Sequence, residues 1–101
     1  MTLTPLTGKA GFYIYIVECA DGSYYTGWTV NLKKRLTVHN QGRGSRYTRC
    51  RLPVYMAYFE TLPTKSQALK REFEVKKLTR REKESLVRGF TQKLTTMNDG
   101  K

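Results

Sequence analysis

Several side chains in this chain stand at spacings that could hydrolyse a phosphodiester. Two aromatic runs, Tyr13-Ile14-Tyr15 and Tyr25-Thr26-Gly27, place Tyr15 and Tyr25 ten residues apart, with Asp21-Gly22 between them. Asp-Gly between apolar runs reads as a two-residue hairpin turn, which would bring Tyr15 and Tyr25 near one another on a small sheet. A phenol titrates near about 10 in water, so a tyrosine that accepts a proton needs a cation close by. Arg35 and His39, four apart, share one face of a helix. On that face Arg35 is either a guanidinium fork for a phosphate and its transition-state charge, or a snorkelling surface side chain like Lys33 and Lys34. His39 is either part of the chemistry or a structural histidine.

Glu72 falls four after Ala68 and three before Val75, inside the apolar stripe of a helix, whereas Glu74 points away. A buried carboxylate is costly unless it is paired or binds a metal. Glu72 is therefore either a ligand for one hard divalent cation such as Mg²⁺, completed by water and substrate oxygens, or one half of an ion pair, Arg35 being a candidate partner. From Lys33 to Arg51 the chain carries seven basic residues (Lys33, Lys34, Arg35, Arg43, Arg46, Arg49, Arg51) and no acid, with Tyr47 among them. Such a glycine- and arginine-rich stretch suits a phosphate backbone and an unstacked base, or else is a solvated basic face.

The elements that must position these groups follow from pattern. Phe12 to Val17 is an unbroken apolar run, expected as a strand buried on both faces. Tyr24 to Trp28 is a second strand, antiparallel to it. Asn31 caps a helix with apolar Leu32 and Leu36 that ends before Gly42. Gln41 to Arg51 is expected as a loop, and Pro53 opens a third strand, Val54 to Phe59. Thr64-Lys65-Ser66-Gln67 and Thr79-Arg80-Arg81-Glu82 are capping boxes that start two more helices. The first carries Ala68, Leu69, Phe73, Val75 and Leu78 on one stripe. The second is short, with Leu86, Val87 and Phe90 as its apolar face. The expected fold is α+β: a small two-layer domain, a three-stranded antiparallel sheet with helices packed on it. It spans residues 10–88, between a flexible N-terminus at 1–9 and a polar, disordered tail at 89–101.

The totals agree with one small domain. The chain has 101 residues, 39% hydrophobic, and a net charge of +11 from 19 basic and 8 acidic side chains. That excess favours a polyanionic partner, nucleic acid ahead of a membrane surface. Two cysteines with no CxxC or Cys/His cluster exclude a disulfide scaffold and a zinc site, and read as reduced thiols. No stretch approaches the roughly 20 apolar residues of a membrane span, and Met1 to Lys9 is too polar for a signal peptide. A cytoplasmic monomer is expected.

Taken together, these residues resemble the GIY-YIG nuclease family. Tyr13-Ile14-Tyr15 is similar to its first motif, with tyrosine for the leading glycine. Tyr25-Thr26-Gly27 is similar to its second, with threonine for isoleucine. Arg35 stands where the family has its helix arginine, followed four residues on by His39, and Glu72 matches its metal-binding glutamate. The Ala-Asp-Gly-Ser turn at 20–23, the Gly-x-Gly-x-Arg-Tyr-Thr-Arg loop at 42–49 and the Lys-Lys-Leu helix end at 76–78 resemble the single-domain UPF0213 or YhbQ-like branch.

The resemblance implies hydrolysis of a phosphodiester with one divalent ion, Mg²⁺ or Mn²⁺. It gives Tyr15 the role of general base or water-orienting group. Arg35 would stabilise the phosphorane, Tyr25 and His39 would position groups, and Glu72 would hold the metal. DNA is expected ahead of RNA, in repair or recombination, with Lys33, Arg43, Arg46, Tyr47, Arg49 and Arg51 as the contact set. Trp28 stands where many active relatives have lysine. This leaves a second reading open, a nucleic-acid-binding module that kept the fold and lost the chemistry. A protein-binding adaptor is a third.

Overall fold

The computed structural model describes residues 11–99; the expected flexible N-terminus lies outside them. Phe12–Glu18 forms β1, Tyr24–Thr29 forms β2 and Tyr55–Leu62 forms β3. They make one antiparallel sheet in the order β2-β1-β3, with β1 central. The helices are α1 (Leu32–Asn40), α2 (Arg46–Arg49), α3 (Lys65–Lys76) and α4 (Arg80–Asp99).

The central strand explains the layering. Along β1 the side chains alternate between two separate cores. Tyr13, Tyr15 and Val17 pack with Leu32, Leu36 and Val54 on one face. Ile14 and Ile16 pack with Ala68 and Val75 of α3, and with Leu86 and Val87 of α4, on the other. Burying each isoleucine stabilises the fold by about 2 kcal/mol. The expected α+β fold, a three-stranded antiparallel sheet with helices packed on it, is the one seen, and its helices cover both faces of the sheet. A strand that is apolar on both faces needs a cover on each, and α1 lies on one side while α3 and α4 lie on the other.

Four expectations change. The β1–β2 connection is a longer loop than two residues: Cys19 N–H donates to Ser23 O at 2.8 Å and Gly22 N–H to Cys19 O at 2.8 Å. Gly22 takes the left-handed φ of 86° that glycine tolerates, but as the last residue of a three-residue turn. The third strand continues past Phe59 to Leu62, because Glu60 and Thr61 pair with Ile14 and Tyr13 across the sheet. Ala57 is an extra residue on that strand, since Ile16 faces Tyr58 while Val17 faces Met56; this bulge keeps the alternation in step with β1. On α3, Leu69 and Phe73 are exposed. The buried stripe is narrower, running through Ala68 and Val75, and the stem of Lys77 carries its ammonium over Phe73 instead. Finally, α4 is neither short nor followed by a tail at 89: its backbone stays helical to Asp99.

The helix starts are as the sequence states them. Thr79 and Glu82 cap α4 reciprocally, each side chain bonding the other's backbone N–H, at 3.1 and 2.8 Å. Thr64 Oγ1 accepts from Gln67 N–H at 3.1 Å on α3. Asn31 Oδ1 accepts from Lys34 N–H at 3.0 Å on α1. That helix ends with Gly42 at φ 81°, where Gly42 N–H reaches His39 O and Arg43 N–H reaches Val38 O, a Schellman closure. The closure turns the chain sharply into the basic stretch.

Candidate active site and nucleic-acid interface

The site is built on the tyrosine face of β1. Tyr15 points toward α1, and its residue is 1% exposed. Its ring runs alongside Gly27 of β2, the residue opposite it in the sheet. Arg35 and His39, one turn apart on α1, both meet the Tyr15 hydroxyl. Arg35 Nε–H donates to it at 3.2 Å, and His39 Nε2 lies 2.8 Å from it. Tyr25 completes the group with its ring edge-on to His39, centroids 5.4 Å apart. The structure therefore brings Tyr15, Tyr25, Arg35 and His39 together as expected.

Electrostatics set the protonation states. Burial pushes the Tyr15 phenol above its ordinary value; the hydrogen bond and charge of Arg35 oppose this only partly, and the Tyr25 and Glu72 charges add weakly to the rise. Tyr15 is thus a neutral phenol at pH 7. Burial, with the Arg35 charge beside it, pulls His39 down to about 4, so its imidazole is neutral. Arg35 is half-buried and held twice, since its Nη2–H also donates to Gly44 O at 2.8 Å. A guanidinium has five N–H donors, so an oriented fork with donors to spare remains for a phosphate.

Glu72 sits on α3 and makes no hydrogen bond to the Tyr15 cluster. Its side chain is 16% exposed and pairs with Lys76 at 3.3 Å, so its ion-pair partner is Lys76 and not Arg35. Among the described residues no three His, Cys, Asp or Glu side chains gather as a metal-binding group. A single, partly exposed carboxylate with a half-exposed lysine as its counter-ion fits a hard cation that keeps most of its water. It does not fit a caged metal.

The basic stretch divides. Lys33, Arg43, Arg46 and Arg49 are exposed, and Arg43 donates to the Gln41 side chain. Arg51 is occupied within the fold: it pairs with Asp21 at 3.1 Å, donates to Tyr47 O at 2.7 Å and lies 3.9 Å over the Tyr47 ring. The Tyr47 ring, 38% exposed, also stacks on Tyr25 at 6.1 Å, so the aromatic expected to take a base is already stacked on two neighbours. Lys65 Nζ stands 5.3 Å from the centre of the Trp28 ring, which puts a cation next to the position that departs from the family pattern.

Sequence reasoning missed the middle of the loop. Ser45 caps α2, accepting from Thr48 N–H at 3.1 Å, and Thr48 Oγ1 lies 2.9 Å from His39 Nδ1. Gly44 presses on the same imidazole, where a Cβ would overlap Nδ1. The Ser-x-x-Thr spacing was a legible cap signal, masked by the arginines around it. Asn40 was also missed: its side chain accepts from Val54 N–H at 2.8 Å and donates to Val54 O at 3.0 Å, tying α1 to the entry of β3.

Comparison with known proteins finds similarity over most of the chain. Residues 11–85 match the family model of the GIY-YIG catalytic domain. A UPF0213 protein of Staphylococcus saprophyticus is 51% identical over 75 residues, covering 74% of this chain and 92% of that one. A UPF0213 protein of Clostridium perfringens is 52% identical over 75 residues, covering 74% and 81%. The solution NMR structure of the protein EF2693 from E. faecalis is similar at TM-score 0.57 and 42% identity, covering 84% of this chain and 91% of that one. That of the UPF0213 protein BH0048 from Bacillus halodurans is similar at TM-score 0.50 and 45% identity, covering 76% and 82%. No helix among the described residues is long and apolar enough to cross a membrane.

Proposed function

This chain belongs to the GIY-YIG catalytic-domain family, a family of nucleases, and from that premise we propose that it is a divalent-metal-dependent endonuclease that hydrolyses phosphodiester bonds of DNA. The observation that carries the reading is the convergence of Arg35 and His39 on the Tyr15 hydroxyl. The Tyr15 oxygen accepts from Arg35 Nε–H, and the same hydroxyl is hydrogen-bonded to His39 Nε2. In this reading the remaining lone pair of Tyr15, enclosed in the free protein, accepts from the attacking water in the substrate complex and orients it. The unused N–H groups of Arg35 bind the non-bridging oxygens and gain strength as charge builds on phosphorus, a contribution of a few kcal/mol. Tyr25, half-buried at the rim, positions the phosphate. Glu72 would hold one Mg²⁺ or Mn²⁺, which supplies Lewis-acid stabilisation of the leaving oxygen when bound. The exposed Lys33, Arg43, Arg46 and Arg49 supply contact with the phosphate backbone. The protein is expected to work as a cytoplasmic monomer in repair or recombination.

The test is nicking of supercoiled plasmid with Mg²⁺ or Mn²⁺, by the wild type beside Glu72→Ala and Arg35→Ala. Cleavage by the wild type alone, with DNA binding retained by Glu72→Ala, is the expected result. Equal cleavage by all three overturns the assignment.

One observation favours a second reading, a binding module without chemistry. Tyr15 is enclosed and its phenol is pushed up rather than down, the opposite of what a proton acceptor needs. Salt-dependent binding with no metal-dependent nicking would establish that module.

A further inference from the structure

Beyond Arg35 and His39 at the Tyr15 hydroxyl, a buried polar chain continues into the basic loop. His39 and Thr48 are both fully buried. The chain runs from Arg35 to Tyr15 at 3.2 Å, to His39 Nε2 at 2.8 Å, from His39 Nδ1 to Thr48 Oγ1 at 2.9 Å, and on to Ser45 Oγ at 2.9 Å.

Counting donors gives this chain one direction. Arginine has no acceptor, so it can only donate to Tyr15. The Tyr15 O–H then has a single acceptor among its recorded partners, His39 Nε2. Turned the other way, with the proton on Nε2, the phenol O–H would be buried without a partner, a penalty of about 1–3 kcal/mol. Nε2 must therefore be bare and Nδ1 must carry the proton. Nδ1–H donates to Thr48 Oγ1, and the Thr48 O–H passes on to Ser45, whose hydroxyl and carbonyl lie 2.9 and 3.4 Å away. The neutral state of the buried imidazole supports this arrangement.

We propose that Thr48 is a positioning residue: by accepting from His39 Nδ1–H it anchors the imidazole in the tautomer that the Arg35–Tyr15 bond requires, and so ties the DNA-contact loop to the reacting centre. Thr48 sits in the same short helix as Arg46 and Arg49, so a displacement of that loop reaches Tyr15 through one side chain. Gly44 tightens the link, since its carbonyl holds Arg35 while its α-carbon abuts the imidazole. The structural claim stands on the donor count. Only its kinetic consequence rests on the nuclease reading.

The chain contains a single histidine, so its ¹⁵N ring resonances report one site. We would record them near pH 7 for the full wild-type chain, Thr48→Val and Thr48→Ser, with amide spectra to check folding. The wild type is expected to show Nδ1 protonated and Nε2 bare. Thr48→Val is expected to move population to the Nε2–H form and to lower the cleavage rate at saturating plasmid by up to about 100-fold, as a misplaced group does, with DNA affinity kept; Thr48→Ser restores both. A wild-type spectrum with the proton on Nε2 overturns the proposal even if every variant fails to fold, as does a folded Thr48→Val with an unchanged imidazole. A wild type that shows the expected tautomer but cuts no DNA sinks the nuclease reading and leaves the tautomer assignment standing.

Discussion

The hydroxyl of Tyr15 lies against the backbone of Gly27, so close that a Cβ built on Gly27 would stand 2.6 Å from it. The glycine of the second aromatic run is there because the tyrosine of the first must pass over it. Gly27→Ala forces the phenol off Arg35 and His39, or bends β2. We expect it to destabilise the fold by about 1–3 kcal/mol, as overpacking does, and to cut plasmid nicking more than its loss of stability explains. Urea denaturation and nicking measured on the same preparation separate the two effects.

His39 makes stability depend on pH. Its folded value of about 4 lies below the ~6.5 of a free imidazole, so the unfolded chain binds the proton first. Stability is complete above about pH 6.5 and is lost as pH falls toward 4, by about 3 kcal/mol in all. Denaturation curves at pH 7 and 4.5 should show this loss in the wild type. A His39→Gln chain, weaker at pH 7, should lack that component.

Thr26 Oγ1 is buried with no hydrogen-bond partner. Thr26→Val keeps the shape and removes the unpaired hydroxyl, so it should stabilise the domain by about 1 kcal/mol, or raise Tm by about 5 °C. A calorimetric scan reads this directly. A drop in Tm would mean that the hydroxyl has a partner in solution.

The exposed arginines of the loop should act through counterion release. Replacing Arg43, Arg46 and Arg49 together by Gln should flatten the plot of log K against log salt by about 0.9 per lost phosphate contact. Arg51→Gln should instead leave that slope nearly unchanged and lower Tm, because its guanidinium is spent on Asp21 and Tyr47. Titrations of duplex DNA at four salt concentrations, beside melting curves, distinguish the two kinds of arginine.

What the sequence determined by itself was local or periodic. The caps at Asn31, Thr64 and Thr79, the helical partnership of Arg35 with His39, and the doubly buried β1 all depend on neighbours within a few residues. The charge and spacing of the basic run were legible for the same reason. Tertiary structure decided what depends on distance between elements. Only packing shows that Leu69 and Phe73 leave the core while Val75 enters it, and that Arg51 is spent within the fold. Above all, no helical period links Thr48 to His39. That hydrogen bond exists because Gly42 turns the chain back over α1, and the resulting closeness of loop and helix is set in three dimensions.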